Sequence, residues 1–276
     1  MKDLLGQLGT SLLGAGLCSD GRIQKDWRML GSEWGYFAGV WAEGQIAFKQ
    51  TLTKCSGMYN HKGIKITWLG HDGFRIQDAQ TVYIDPFQTS GKNPPKADVV
   101  LVSHEHFDHL SLDDLKKIVT PSTVLVAHKQ SSEELSKLKV KELKLMKPGD
   151  KAKIGKLEVE AVPAYNVNKF REPGKVFHPK EDGKLGFILS VDGVRIYHAG
   201  DTDHIPEMKG MRPDIALLPV SGTYVMTAQE AAEAVASISP KVVIPMHFGA
   251  IVGERNDAET FKKLVTCQVE ILEKEN

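Results

Sequence analysis

The stretch Leu101-Val102-Ser103-His104-Glu105-His106-Phe107-Asp108-His109-Leu110 decides how this chain is read. Three imidazoles and the Asp108 carboxylate fall within six residues, directly after an apolar run, Ala97 to Val102, that reads as a buried strand. Neutral imidazole and carboxylate are the usual nitrogen and oxygen ligands of zinc and similar divalent ions. A strand end fixes the backbone, so side chains on the tight loop beyond it can converge on one point. The spacing H-x-H-x-D-H is far more specific than a lone histidine, so the stretch reads as a metal-binding loop.

Strands flank this loop on both sides. Ile64 to Leu69 alternates as a strand, Gly70-His71-Asp72-Gly73 turns, Phe74-Arg75-Ile76 returns, and Thr81 to Ile84 is a further strand ending at Asp85-Pro86. Downstream, Ser111 with Asp114 makes a capping-box pattern that opens a helix through Val119. Thr123 to Ala127 is a strand, and Ser131 with Glu134 starts a short helix before the Val140 to Met146 stretch. Ile154-Gly155-Lys156-Leu157 is a tight turn into a strand reaching Val162, and Val191-Asp192-Gly193-Val194 joins 186–191 to 194–198 as a hairpin. Between them, 163–184 is a polar loop long enough to be functional. Asp214 to Pro219 and Lys241 to Met246 are strands, Thr227 with Glu230 caps a helix over 228–238, and Asn256 with Glu259 is expected to cap a helix to Val265. Gln268 to Leu272 closes the chain. Interleaved strands, helices and hairpins point to an α/β sandwich of mixed sheets. No G-x-G-x-x-G follows a strand, so a dinucleotide site has no support.

Composition sets the outer bounds. The chain has 276 residues, 41% hydrophobic and 25% charged, in the range of a globular protein. Lys plus Arg and Asp plus Glu are both 35, so the basic excess expected of a nucleic-acid binder is missing and no nucleic-acid partner is expected. Cys18, Cys55 and Cys267 are far apart and form no C-x-x-C pair, which argues against a disulfide framework or a cysteine zinc site. Free thiols in a reducing cytoplasm are the simplest account. The apolar run Leu4 to Leu17 carries little positive charge, is interrupted by glycines and has Leu17 before Cys18, so export is not expected. No run reaches the ~18 apolar residues of a membrane span.

Residues 1–60 have a different texture, with three of the four tryptophans and no convincing strand. Trp27, Leu30, Trp34, Phe37 and Trp41 recur at helical spacing, while Gly31, Gly35 and Gly39 line another side of the same helix. The segment is expected to be an accessory piece packed on a main domain of residues 61–276. A contact between copies of the chain, or with a membrane surface, is the alternative the pattern leaves open.

Polar residues recur just past the strands: His71, Asp85, the 104–109 cluster, Asn166 or His178, Asp201 in His198-Ala199-Gly200-Asp201-Thr202-Asp203, and His247 in Pro245-Met246-His247-Phe248-Gly249. So many occurrences, each after a hydrophobic strand, favour one shared site. Together these motifs resemble the metallo-β-lactamase superfamily, with matches from about Ile64 to Phe261. The motifs Trp68-Leu69-Gly70-His71 and Pro163-Ala164-Tyr165-Asn166 look most like the subgroup that includes ascorbate 6-phosphate lactonase.

The resemblance implies a four-layer αββα sandwich, with helices outside two mixed sheets, and a centre of two divalent ions. Zinc is the first expectation, with manganese or iron as alternatives. Carried over by position, His104 and His106 bind one ion, Asp108, His109 and His247 bind the other, and Asp201 bridges them. Asp85 is the buried acid behind the ligands. The family's further histidine for the first ion is replaced here by Asn166, so His178, twelve residues on, is preferred over the Asn166 amide as the substitute ligand. Catalytic roles fall to Asp108, Asp201 and His71, and contacts with a small-molecule substrate to Asn166, His198 and Tyr224. The implied reaction is hydrolysis of a small ester, lactone or phosphoester by a metal-bound hydroxide. A nuclease or phosphodiesterase of the same fold, and a metal-binding interaction protein with little catalysis, are the competing readings. A diiron oxygen- or NO-reducing centre is disfavoured, because that branch has glutamate where this chain has His106.

Overall fold

The computed structural model describes residues 57–91 and 93–276. The tryptophan stripe over residues 27–41, Cys18 and Cys55 lie outside the described residues. Strands β1 (Met58–His61), β2 (Ile64–Gly70), β3 (Gly73–Gln77), β4 (Thr81–Ile84), β5 (Val99–Val102), β6 (Val124–His128) and β7 (Glu142–Met146) form one sheet in that order. The first four pair antiparallel and the rest parallel. β8 (Lys151–Ile154), β9 (Leu157–Pro163), a small hairpin of β10 (Phe170–Glu172) and β11 (Lys175–Val176), β12 (Leu185–Val191), β13 (Val194–His198), β14 (Ile215–Pro219), β15 (Val242–Met246) and β16 (Gln268–Val269) follow. The second sheet runs β16-β15-β14-β13-β12-β9-β8 and repeats the same design, antiparallel from β8 to β13 and parallel beyond.

Period-two side-chain alternation explains why two layers close over one another. In β4, β5 and β6, Val82, Ile84, Val99, Leu101, Val124 and Val126 face the core shared with the second sheet. Their neighbours Tyr83, Val100, Val102, Leu125 and Ala127 face a second core with Leu115 and Ile118 of helix α1 (Leu112–Ile118) and Leu135 of α2 (Ser132–Leu135). Strands buried on both faces read as continuous apolar runs, as these do. On the far side, α3 (Ala228–Ile238) and α4 (Arg255–Leu264) send Ala231, Ala234, Ile238, Ala258 and Phe261 into the shared core. The layers are therefore α, β, β, α, the sandwich that the sequence implied.

Local signals held where side-chain chemistry is unambiguous. Ser111 accepts from the Asp114 amide at the start of α1, and Thr227 with Glu230 forms a reciprocal capping box on α3. Three expectations need correction. β1 pairs with β2 along Met58–His61, so a strand lies within residues 1–60, where the sequence offered no convincing one. The cap of α4 is Glu254 with Asp257, two residues earlier than Asn256 with Glu259, because the Glu254–Asp257 pair satisfies the same i, i+3 reciprocity directly after the Gly253 turn. The 163–184 loop contains the β10–β11 hairpin, turned at Pro173-Gly174, rather than irregular chain throughout. Among the described residues, no helix is long and apolar enough to cross a membrane.

Candidate metal centre

The polar residues gather where loops leave one edge of both sheets. The loop after β5 supplies His104, His106, Asp108 and His109; the β2–β3 turn supplies His71 and Asp72. The second sheet contributes His178 from the loop before β12, Asp201 after β13 and His247 after β15. Four non-glycine residues at or beside the site, His71, Asp85, Tyr224 and His247, have left-handed φ, at 51°, 42°, 67° and 59°. Non-glycine residues hold that conformation only where the surroundings over-determine it. Gly200 has φ 62°, and a Cβ there would stand 2.6 Å from the Leu185 carbonyl oxygen. Only glycine lets the chain turn so tightly and deliver Asp201 between the sheets.

Two donor sets share the Asp201 carboxylate. His104, His106, His178 and Asp201 form one, with donor atoms within 4.8 Å of one another. Asp201 Oδ2 lies 3.4 Å from His178 Nε2 and 3.9 Å from His104 Nε2, and His106 Nδ1 lies 3.4 Å from His178 Nε2 and 3.0 Å from His104 Nε2. The other oxygen, Oδ1, faces His109 Nε2 at 3.3 Å and His247 Nε2 at 3.6 Å. Donors ~2.0–2.2 Å from a tetrahedral ion stand roughly 3.3–3.6 Å apart. Asp201 Oδ1, His109 Nε2 and His247 Nε2 are buried without a hydrogen-bond partner among the described residues. Native interiors rarely leave such atoms unpaired, and a cation between them would satisfy all three at once, so the residues fit divalent ions.

The atoms behind the ligands fix their direction. Asp85, fully buried, accepts from the Ser103 hydroxyl at 2.6 Å and the Ser103 amide at 2.8 Å, and its Oδ2 pairs with His109 Nδ1 at 2.9 Å. That leaves His109 Nε2 to point into the site, as a carboxylate behind a ligating imidazole does. Ser221 Oγ does the same for His247 Nδ1 at 2.9 Å.

Electrostatics follows the same division. Burial pushes the His104 imidazole far below its usual value and lowers His178 to about 4, so both are neutral and able to ligate. Burial also opposes charge on His109, yet Asp201 and Asp85 outweigh it and raise that imidazole well above normal. Burial alone would raise Asp201, but the charges of His109 and His247 hold it well below the carboxylate range. Against its own burial, Asp108 is lowered to about 2 by its hydrogen bond from His71.

Of the expected site residues, His104, His106, His109, His178, Asp201 and His247 converge. Asp108 lies at the margin: its Oδ2 is 3.0 Å from His71 Nε2 and 3.9 Å from His109 Nε2. Two of the expected substrate contacts are engaged inside the protein. The Asn166 amide is fully used within the fold. Its oxygen accepts from the His178 amide at 3.0 Å and pairs with His178 Nδ1 at 2.8 Å, while its nitrogen donates to Asp203 at 3.2 Å and to the Tyr224 carbonyl at 2.9 Å. His198 is likewise buried, with Nε2 2.9 Å from the Asp72 carbonyl and Nδ1 accepting from the Gly200 amide. Tyr224 is 39% exposed at the rim and packs edge-on against Phe177. One residue was missed. Asp72 is fully buried, with its Oδ2 3.5 Å from His109 Nε2 and 3.9 Å from His247 Nε2. In sequence, Gly70-His71-Asp72-Gly73 reads as an ordinary turn, and the one hint was an acid between two strongly apolar strands.

A family model described as the β-lactamase superfamily domain matches residues 65–247. The chain belongs to that superfamily and is a metal-dependent hydrolase of the metallo-β-lactamase fold. Its relatives narrow the group further. It is 37% identical over 216 residues to an Archaeoglobus fulgidus UPF0173 metal-dependent hydrolase, covering 74% of this chain and 92% of that one. It is 34% identical to the Pyrococcus furiosus UPF0173 metal-dependent hydrolase, covering 73% and 92%. Among solved structures, a protein from Parabacteroides distasonis assigned as a metal-dependent hydrolase superposes with a TM-score of 0.66 at 33% identity, covering 78% of this chain and 97% of that one. The metallo hydrolase Igni18 from Ignicoccus hospitalis gives 0.60 at 25% identity, covering 77% and 96%.

Proposed function

We propose that this chain is a two-ion hydrolase acting on a small ester, lactone or phosphoester. The observation that carries the reading is Asp201, whose two oxygens face two separate sets of imidazoles at 3.3–3.9 Å. His104, His106 and His178 with Asp201 would hold one ion; His109 and His247 with the same aspartate would hold the other. Zinc suits these donors, and manganese or iron is the alternative. When bound, such ions supply Lewis acidity and lower the pKa of water toward ~7.

The protein's own groups do the positioning. Asp201 sets the spacing of the two donor sets, and in the metal-free protein the charges of His109 and His247 keep it ionised. Asp108, 15% exposed and ionised, lies 3.0 Å from His71 Nε2, which places a hydrogen-bonded carboxylate–imidazole pair at the edge of the site. At the rim, Phe107 is 67% exposed and lies edge-on to Phe87, with Tyr224 and Phe177 forming a second aromatic pair. These faces support a substrate with an apolar portion beside its polar reacting group.

The test is hydrolysis of a panel of lactones, aryl esters and phosphoesters by the metal-reconstituted protein and by Asp201→Asn. Turnover of at least one class that falls by about 100-fold or more in the variant is expected, because loss of the shared carboxylate disrupts both positions. Activity unchanged in Asp201→Asn would contradict the proposal.

A further inference from the structure

We infer that Glu105, held by the buried Lys184, is the positioning residue that aims His106 at the first ion. The inference rests on the two-ion reading above and adds to it a pair of residues that touch no ion themselves.

Each of the other imidazoles that face the ions is fixed through its second nitrogen. Ser103 Oγ lies 2.9 Å from His104 Nδ1, Asp85 Oδ2 2.9 Å from His109 Nδ1, Asn166 Oδ1 2.8 Å from His178 Nδ1 and Ser221 Oγ 2.9 Å from His247 Nδ1. His106 differs from all four. Its Nδ1 is the atom turned toward His104 and His178, which leaves Nε2 for a partner. The side chain is 43% exposed, and the carboxylate that Nε2 faces is Glu105, with Oε1 at 4.0 Å. A ligating histidine almost always gives its other N–H to a carboxylate, a carbonyl or water, and that partner sets the ring's direction.

Glu105 is itself held in place. Lys184 Nζ donates to Glu105 Oε1 at 2.5 Å, and the Lys184 side chain is 2% exposed. The backbone around Lys184 is pinned on both sides: its carbonyl accepts from the Ala164 amide at 3.0 Å, and the Leu185 amide donates to the Ser103 carbonyl at 3.1 Å. Glu105 Oε2 faces His128 Nδ1, at the end of β6, at 3.7 Å. The ion pair thus crosses from the residue before β12 in the second sheet to the β5 loop in the first, beside the ligand it serves.

Stability alone does not explain this pair. Desolvating an ammonium costs several kcal/mol, and pairing it with a carboxylate about offsets that cost rather than exceeding it. What the pair does supply is one fixed place for the Glu105 oxygens next to the most exposed imidazole of the first donor set.

The experiment compares wild type with Glu105→Gln, Lys184→Met and the double variant Glu105→Met/Lys184→Met. Each is stripped of metal and titrated with Zn2+ under chelator competition, and the position of each ion is read from the imidazole nitrogens that shift in 15N NMR. Lys184→Met leaves the Glu105 carboxylate unpaired and should lower the urea midpoint of the metal-free protein. The double variant should recover that midpoint, because no charge is left without its partner. Affinity should not recover with it: the double variant should bind the first ion about 10–100-fold more weakly than wild type and the second within a few-fold. Glu105→Gln keeps an oxygen acceptor and should weaken the first ion less than the double variant does. In the zinc-loaded wild type, the His106 Nε2 proton should exchange slowly with solvent. A double variant that regains both stability and first-ion affinity, or that loses affinity equally at both positions, would overturn the inference. Rapid exchange of the His106 Nε2 proton in the zinc-loaded wild type would overturn it without any variant. These outcomes leave the two-ion reading intact, whereas a wild-type protein that binds no ion at the first position would overturn both.

Discussion

Replacing Asn166 with alanine should separate the role of a ligand from the role of the residue that aims it. The Asn166 amide makes four contacts inside the protein: with the His178 amide, His178 Nδ1, Asp203 Oδ1 and the Tyr224 carbonyl. It is 4% exposed, so water cannot replace all four without entering the interior. Each buried group left unpaired costs ~1–3 kcal/mol. Water filling the space left by the amide would recover part of that, giving a loss of roughly 2–4 kcal/mol in the metal-free protein. His178 would also lose the partner that fixes its ring. Removing a group behind a ligating histidine typically weakens metal binding 10–100-fold, or about 1.4–2.7 kcal/mol. Denaturant unfolding of the metal-free protein measures the first quantity, and chelator competition measures the second. The affinity loss should fall on the position that includes His104 and His106, leaving the other within a few-fold. Unchanged affinity at the first position, in a variant that is destabilised as expected, would refute the claim that Asn166 orients His178.

Other perturbations follow from the same contacts. Thr227→Ala removes half of the capping box on α3 and should lower stability by ~1 kcal/mol, read from the urea midpoint, without altering metal binding. In the metal-free protein, His178 is lowered by burial to about 4, below its unfolded value of ~6.5. The unfolded chain then binds more protons between those values, so His178's share of stability is intact above pH ~6.5 and is lost on acidification toward pH ~4. Unfolding measured across that window should show a weaker pH dependence in His178→Gln. Phe107→Ala, at a side chain 67% exposed, should change stability by less than about 0.5 kcal/mol. The same change should raise KM for substrates carrying an apolar group, and an unaltered KM would remove Phe107 from the binding surface.

The parts of this molecule legible in the sequence were those where one residue type has one physical use. The H-x-H-x-D-H loop after an apolar strand, the Asp192-Gly193 turn and the Thr227–Glu230 cap each carry their geometry in their chemistry. His178 was preferred to Asn166 on donor type alone, and the structure places His178 with His104, His106 and Asp201 and Asn166 behind it. Asn166 and His198 were expected to touch substrate because sequence reveals that a polar residue follows a strand, not whether its atoms are already bonded within the protein. Asp72 escaped notice for the opposite reason. Its two neighbouring glycines advertise a turn, whereas its burial depends on His198 and His247, which lie 126 and 175 residues further along the chain. β1 was missed for a different reason: Met58–His61 alternates weakly, and only its tight hairpin with β2 makes it a strand.

The central claim is that Asp201 joins two metal positions in one site, and counting ions in the metal-reconstituted wild-type protein tests it most directly. Elemental analysis after reconstitution should give close to two zinc, manganese or iron ions per chain, with both lost or weakened in Asp201→Ala. A wild-type count of one or none, or an Asp201→Ala variant that still holds two ions at wild-type affinity, would contradict the account.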